Sequence, residues 1–226
     1  HSRGVVSAWV LTGGGAEAIA QLFQVPGASA SICEVQIPYS TAALAAYLGS
    51  SPERSCSPET ARAMAVHAAD RARRLGQVDR SPKRSEATDS EPGTRAPQFW
   101  GIGVTAALVS DRPKRGEHRA HWAVQGDDFT FDATFRLEKG ARSRVEEDEV
   151  VSRAVLATVL PLGRGPGVSS AMPGEVQRDS LKGRDLGDIG LRSSESIEIV
   201  HARSSPVLTA LRNEGRPPIW FREPHL

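Results

Sequence analysis

The strongest constraint on the fold of this chain is an apolar segment that ends at a run of glycines. Residues 9–11 are apolar, and they are followed by Thr12 and then by Gly13, Gly14 and Gly15. A helix-forming segment begins directly afterwards. This order predicts a buried strand, a tight glycine turn and a helix whose positive end points at the turn, where backbone N–H groups can approach an anion. The sequence therefore predicts an anion site, most simply for a phosphate, with a purely structural turn as the alternative.

Further strands and helices follow in alternation, which is typical of an α/β fold. The arm at residues 128–137 carries Phe129, Phe131 and Phe135 at every second or fourth position, so one face of that strand is predicted to be buried. Predicted strands cover residues 4–11, 32–37, 99–108, 120–124, 128–137, 197–201 and 219–221, and predicted helices cover residues 15–23, 40–48, 144–159 and 206–213.

Two helix starts carry specific capping signals. Ser57 followed by Pro58 predicts an N-cap and a first helical residue, and this helix is expected to end before Gly76. Ser143 with Glu146 predicts a capping box. Small residues, mainly alanine, form a stripe along the first of these helices, which favours close packing against a sheet.

The bulk properties bound the organisation of the chain. A length of 226 residues with a formal net charge of +1 indicates neither nucleic-acid nor anionic-membrane binding, and no apolar run approaches the roughly 20 residues of a membrane span. Cys33 and Cys56 do not make a disulfide framework, so a reducing, cytoplasmic setting is expected. We expect one domain at residues 4–160 with a polar, disordered insertion at 77–97. Residues 161–226 are expected to be a linker and a small C-terminal extension, which either extends the main sheet or begins something else.

The densest group of cations lies between two predicted strands. It could bind phosphate or carboxylate, or it could be a solvated turn. His118 and His121 are three residues apart in an extended segment, so their side chains should point to opposite faces, and we predict no metal site. The cationic group consists of Arg112, Lys114, Arg115, His118 and Arg119.

Several short segments together resemble the C-terminal domain of the CinA family, which comprises competence/damage-inducible proteins and nicotinamide mononucleotide amidohydrolases. The resemblance covers about residues 5–160. It implies a three-layer α/β/α sandwich with a mixed sheet and a homo-oligomer. In active members it implies a serine that attacks the nicotinamide carboxamide without a metal or cofactor. The matching segments are residues 12–14, 25–29, Tyr39–Ser40, 48–49, 57–65 and 103–105.

The departures from the family pattern concern the chemistry. The position of the serine nucleophile holds Val10, and the position of the lysine that follows the Tyr-Ser motif holds Leu44. Valine cannot attack a carbonyl and leucine cannot accept a proton, so the covalent route is absent. We therefore expect a CinA-like domain without amidase chemistry that binds a nucleotide or other phosphate ligand. The expected binding residues are Thr12, Gly13, Gly14, Tyr39, Ser40, Thr105, Arg112, Lys114 and Arg115.

Two alternatives remain at this point. The chain could be an active amidohydrolase whose nucleophile has moved to Ser7, Thr12 or Ser40. It could also be a structural oligomerisation module with an empty cleft. No cofactor and no nucleic-acid partner are expected in any of these cases.

Overall fold

The computed structural model describes residues 4–78, 97–112, 115–163, 176–182 and 189–203. The described chain alternates strands and helices as the sequence predicts. The strands are β1 (Val5–Thr12), β2 (Ile32–Gln36), β3 (Gln98–Ala107), β4 (His118–Gln125), β5 (Phe129–Leu137), β6 (Val176–Leu181) and β7 (Ile197–Arg203), and the α-helices are α1 (Ala16–Phe23), α2 (Thr41–Leu48), α3 (Pro58–Val78) and α4 (Arg144–Val159).

All seven strands form one mixed sheet with the order β2-β1-β3-β4-β5-β7-β6. β1 runs parallel to both β2 and β3. From β3 onward, every neighbouring pair is antiparallel. The predicted α/β class is therefore confirmed. β1 and β2 are parallel because a helix, α1, connects them, and β4 and β5 are antiparallel because a short hairpin connects them.

Helices cover both faces of the sheet. Trp9 and Leu11 of β1 belong to a large apolar cluster that also contains residues of α1 and α4. Ala8 and Val10, which alternate with them, belong to a second cluster with residues of α2 and α3. Because successive side chains of a strand point to opposite faces, the two clusters lie on opposite sides of the sheet. This arrangement is compatible with the three-layer sandwich that the family resemblance implies.

The alanine stripe of α3 packs directly on the glycines of β3. A Cβ atom on Gly101 or Gly103 would overlap main-chain atoms of α3, so the helix lies closer to this strand than any side chain would allow. The prediction that α3 ends before Gly76 is wrong, since the helix continues to Val78. Gly76 instead accommodates the ring of Phe99, which a Cβ atom would overlap.

The C-terminal segment extends the main sheet within its described part. β7 confirms the strand predicted at residues 197–201, and β6 lies in a stretch expected to be loop. β6 is polar and exposed, so no apolar alternation signals it. Arg142 anchors the segment before β7 by a two-oxygen pair with the buried Glu195. The helix and strand predicted at 206–213 and 219–221, and residues 79–96 of the insertion, lie outside the described residues.

No helix in the described ranges is long and apolar enough to cross a membrane.

Candidate ligand-binding cleft

The glycine turn after β1 holds an anion that belongs to the chain itself. The N–H of Gly15 donates to one carboxylate oxygen of Asp148 over 2.8 Å, and the N–H of Glu17 approaches the other at 3.4 Å. Asp148 lies on α4, which packs beside α1. A carboxylate therefore occupies the helix N-terminus where the sequence predicts a phosphate. An external phosphate would have to displace it.

The glycines of this turn are needed for contacts within the chain. Gly13 has a φ of 76°, and a Cβ atom there would overlap the carbonyl oxygen of Ala106. A Cβ atom on Gly14 would lie 2.7 Å from the Leu108 side chain. The carbonyl of Gly13 accepts a hydrogen bond from Arg144 at 2.9 Å. Close approach of β3 and α4 thus accounts for the glycine run without a ligand.

The two threonines of the predicted binding set hold neighbouring loops. Thr12 is 7% exposed and donates its hydroxyl to the carbonyl of Pro38. Thr105 is 1% exposed and donates to the carbonyl of Ser55 over 2.6 Å. Neither hydroxyl borders the cleft described below. Thr105 holds the loop between α2 and α3, which forms a wall of that cleft.

The remaining predicted binding residues that the structure describes lie outside the cleft described below. Ser40 caps α2 and Tyr39 beside it is exposed. Arg112 and Arg115 are exposed on the loop before β4, and neither borders the cleft. Lys114 lies outside the described residues. Part of the predicted set nevertheless lies together beside the glycine turn, because Thr12 pairs with Thr105 across β1 and β3 and contacts Pro38, which adjoins Tyr39 and Ser40.

Val10 and Leu44 lie in one apolar cluster. They are 0% and 1% exposed, and both pack with Met64 of α3. The positions that the family resemblance assigns to a nucleophile and a lysine are thus near each other and are buried among apolar side chains. Neither residue borders the cleft.

A cleft of about 740 Å³ opens on the α3 side of the sheet. Its walls are the loop between α2 and α3 and the start of α3. Its floor is the face of β4, β5 and β7 at the edge of the area that α3 covers. The lining residues are mostly polar; they are Leu48, Ser50, Pro52, Glu53, Arg54, Cys56, Ser57, Pro58, Glu59, Thr60, Ala63, His67, Glu117, Arg119, His121, Thr134, Arg136 and Glu198.

Strand register orders the floor into two polar rows. In one row, Arg119 of β4 lies directly opposite Arg136 of β5. In the next row, His121 of β4 lies opposite Thr134 of β5, which in turn lies opposite Glu198 of β7. All five side chains border the cleft because each strand presents every second residue to this face.

The two arginines of the first row are neutralised unequally. Arg136 pairs with Glu198 at 2.7 Å and with Glu117 at 3.8 Å. Arg119 forms no ion pair with any residue that the structure describes, and the same holds for Arg54 on the opposite wall. Like charges directly opposite each other in a sheet are destabilising. An anion between them would relieve that repulsion.

The two histidines of the cleft are held neutral. Burial, with Arg119 nearby, lowers the pKa of His121 to about 4. Its Nδ1 lies 2.9 Å from the hydroxyl of Thr134. Burial also lowers the pKa of His67, whose ring centroid lies 5.8 Å from that of Tyr47. At neutral pH the fixed positive charge of the cleft therefore comes from its arginines.

His118 points away from the cleft, as its spacing from His121 predicts. Its Nδ1 lies 2.6 Å from the carboxylate of Glu147 on α4, and that carboxylate also accepts the N–H of Val109. Within the described ranges, no group of three or more His, Cys, Asp or Glu side chains could hold a metal ion.

Sequence reasoning found only part of this cleft. Arg119 stands in the predicted cationic group, whereas Arg54, His67 and Glu198 were missed. The sequence signal that could have found more of it lies in β5, where polar residues alternate with the buried apolar ones. Thr134 and Arg136 are two of these polar residues.

Neither a scan of the chain against protein-family models nor a search of the curated proteins finds a match.

Proposed function

We propose that this chain is a CinA-like domain that lacks the Ser/Lys amidase chemistry and binds a small phosphorylated ligand in the cleft. The nucleotide of the family resemblance is one such ligand. A homo-oligomer remains a prediction. The ligand binds on the floor formed by β4, β5 and β7 and not at the glycine turn.

The observation that carries the binding function is the arginine row. Arg119 and Arg136 lie opposite each other on rigid strands, and only Arg136 has carboxylate partners among the described residues. Guanidinium groups bind phosphate through paired, charge-assisted hydrogen bonds. A phosphate above this row would compensate the charge of Arg119.

The absence of amidase chemistry is supported by the environment of each candidate nucleophile. Val10 and Leu44 are buried hydrocarbon. The hydroxyl of Ser7 donates to Ser31 and accepts from Trp9, while Thr12 donates to a carbonyl and Ser40 caps a helix. Among the described residues, none of these three hydroxyls forms a hydrogen bond with a histidine, a lysine or a carboxylate, so no general base activates them.

Titration calorimetry with nicotinamide mononucleotide and with inorganic phosphate tests the binding. We expect both to bind, and Arg119→Gln to weaken binding about 10- to 100-fold, because one charge-assisted contact contributes about 1.5–3 kcal/mol. Arg112→Gln is the matched control, since Arg112 is a neighbouring exposed arginine outside the cleft. Loss of binding in Arg112→Gln but not in Arg119→Gln would return the site to the loop before β4.

An ammonia assay on the same samples tests the chemistry. We expect no release of ammonia from nicotinamide mononucleotide. Release that is lost on substitution of Ser7, Thr12 or Ser40 would establish the alternative of an active amidohydrolase with relocated chemistry. An oligomer that binds neither probe would establish the structural module.

A further inference from the structure

The second row of the cleft floor is suited to hydroxyl groups. His121, Thr134 and Glu198 follow one another across three neighbouring strands. Adjacent strands are about 4.8 Å apart, and a step of two residues along a strand is about 6.6 Å. The row therefore offers an imidazole, a hydroxyl and a carboxylate at regular spacing, about 6.6 Å from the arginine row.

The polar groups of this row remain available to a ligand on one side. His121 is 5% exposed and uses Nδ1 for Thr134, while its Nε2 makes no hydrogen bond to a described residue. Glu198 gives one oxygen to Arg136 and retains further acceptor sites. A carboxylate and a neutral imidazole are good partners for alcohols, whereas a second anion would be repelled by Glu198.

The aromatic rings that border the cleft in the described part of the chain are the imidazoles of His67 and His121. No Phe, Tyr or Trp stands among its described lining residues. Stacking on such side chains contributes about 1–3 kcal/mol for each base where it occurs. The walls instead carry the hydroxyl of Ser50 and the carboxylate of Glu59, while the hydroxyls of Ser57 and Thr60 already form hydrogen bonds at the start of α3. The described lining thus offers several groups that bind hydroxyls, whereas a base could stack only on the imidazoles of His67 and His121 or on a guanidinium group.

We propose that the ligand is a sugar phosphate or another small phosphorylated polyol. This inference rests on the proposed phosphate-binding function and adds the part of the ligand that the second row recognises. The phosphate lies on Arg119 and Arg136. The hydroxyls, one strand step away, lie on His121, Thr134 and Glu198.

Calorimetry on the full chain with four probes tests the inference: ribose 5-phosphate, inorganic phosphate, ribose and nicotinamide mononucleotide. We expect ribose 5-phosphate to bind at least about 10-fold more tightly than inorganic phosphate, because several hydrogen bonds are added. Nicotinamide mononucleotide should bind within about 3-fold of ribose 5-phosphate, since the described lining offers its base no Phe, Tyr or Trp ring. Ribose alone should bind most weakly.

Two variants separate the rows. Thr134→Val keeps the side-chain shape. It should weaken the binding of ribose 5-phosphate about 5- to 10-fold and leave the binding of inorganic phosphate unchanged. Thr130→Val is the matched control, because Thr130 lies on the same strand and face but outside the cleft. Glu198→Gln should weaken the binding of ribose 5-phosphate and strengthen the binding of inorganic phosphate, because Arg136 loses a neutralising partner.

The outcomes distinguish this inference from the proposed function. Arg119-dependent binding of inorganic phosphate with no gain from the sugar overturns the sugar-phosphate inference alone. Nicotinamide mononucleotide that binds about 10-fold more tightly than ribose 5-phosphate also overturns it, since the base is then recognised. If no phosphorylated probe binds through Arg119, both proposals fail.

Discussion

The glycine turn after β1 and the cleft beside α3 are two places where this chain could hold an anion, and they differ in how their charges are satisfied. At the turn, Asp148 accepts hydrogen bonds from Gly15 and Glu17. In the cleft, Arg119 lies opposite another arginine and forms no ion pair with a described residue, although glutamates also line the cleft. The turn has the more conspicuous sequence, and the cleft has the arginine without an ion pair.

The difference shows why a glycine-rich helix start is a weak signal for a ligand. Glycines admit any close neighbour, and at this turn the neighbours are Ala106, Leu108 and Asp148 of the same chain. A bound anion needs donors that the fold itself leaves unused. Four substitutions or titrations, taken from the largest expected effect to the smallest, test this comparison.

Gly13→Ala should destabilise the protein by more than about 3 kcal/mol, because it combines left-handed backbone strain with overlap on the Ala106 carbonyl. Gly140→Ala is the control: its φ of 79° is similar, but nothing lies within 4 Å of the added Cβ. The control should lose only about 1–2 kcal/mol. Urea unfolding measures both, and equal losses would show that strand approach does not explain the glycine.

Asp148→Ala should cost about 1–3 kcal/mol, because it leaves the N–H groups at the start of α1 without their acceptor. Glu149→Ala, on the same helix in a half-exposed pair with Arg153, should cost less than about 0.5 kcal/mol. Unfolding free energies that do not distinguish the two would mean that the carboxylate does not stabilise the turn.

Acidification should destabilise the protein through His121. Its pKa is about 4 in the folded state and about 6.5 when unfolded, so the unfolded chain takes up the proton first as pH falls. Stability is therefore retained above pH of about 6.5 and lost towards pH 4, by at most about 1.4 kcal/mol for each pH unit. His121→Gln should flatten the profile of unfolding free energy against pH over this window. His67 and His201 have lowered pKa values as well and should leave a residual slope. A profile identical to that of the unmodified protein would contradict the assignment.

Arg112→Gln should change the free energy of unfolding by less than about 0.5 kcal/mol, because Arg112 is exposed on a loop. Thermal unfolding provides the measurement. A larger loss would show that the cationic loop before β4 has a structural role of its own.

Much of the fold was readable from local patterns. The capping box of Ser143 and Glu146 starts α4 as predicted, and Ser57 caps α3. The alternating phenylalanines predicted β5. β6 and the end of α3 could not be read in this way, because pairing to β7 and the Phe99 ring beside Gly76 are contacts distant in sequence.

Less of the candidate site could be predicted from the sequence. The predicted binding residues cluster near the glycine turn or on the cationic loop, but the cleft gathers side chains from the α2–α3 loop, α3 and three strands. Arg54 and Glu198 have no sequence signal in common. Only the register of β4, β5 and β7 places the rows of the floor side by side.

By itself, the sequence determined the α/β class, the main helices and strands, and the hydrocarbon at Val10 and Leu44. These follow from composition, periodicity and caps, which act over a few residues. Tertiary structure decided which charges are already satisfied. The acceptor for Gly15 lies 133 positions away at Asp148, whereas Arg119 meets a like charge across the sheet. Because the strength of an anion site depends on the partners that folding supplies, only the folded chain separates an occupied site from an open one.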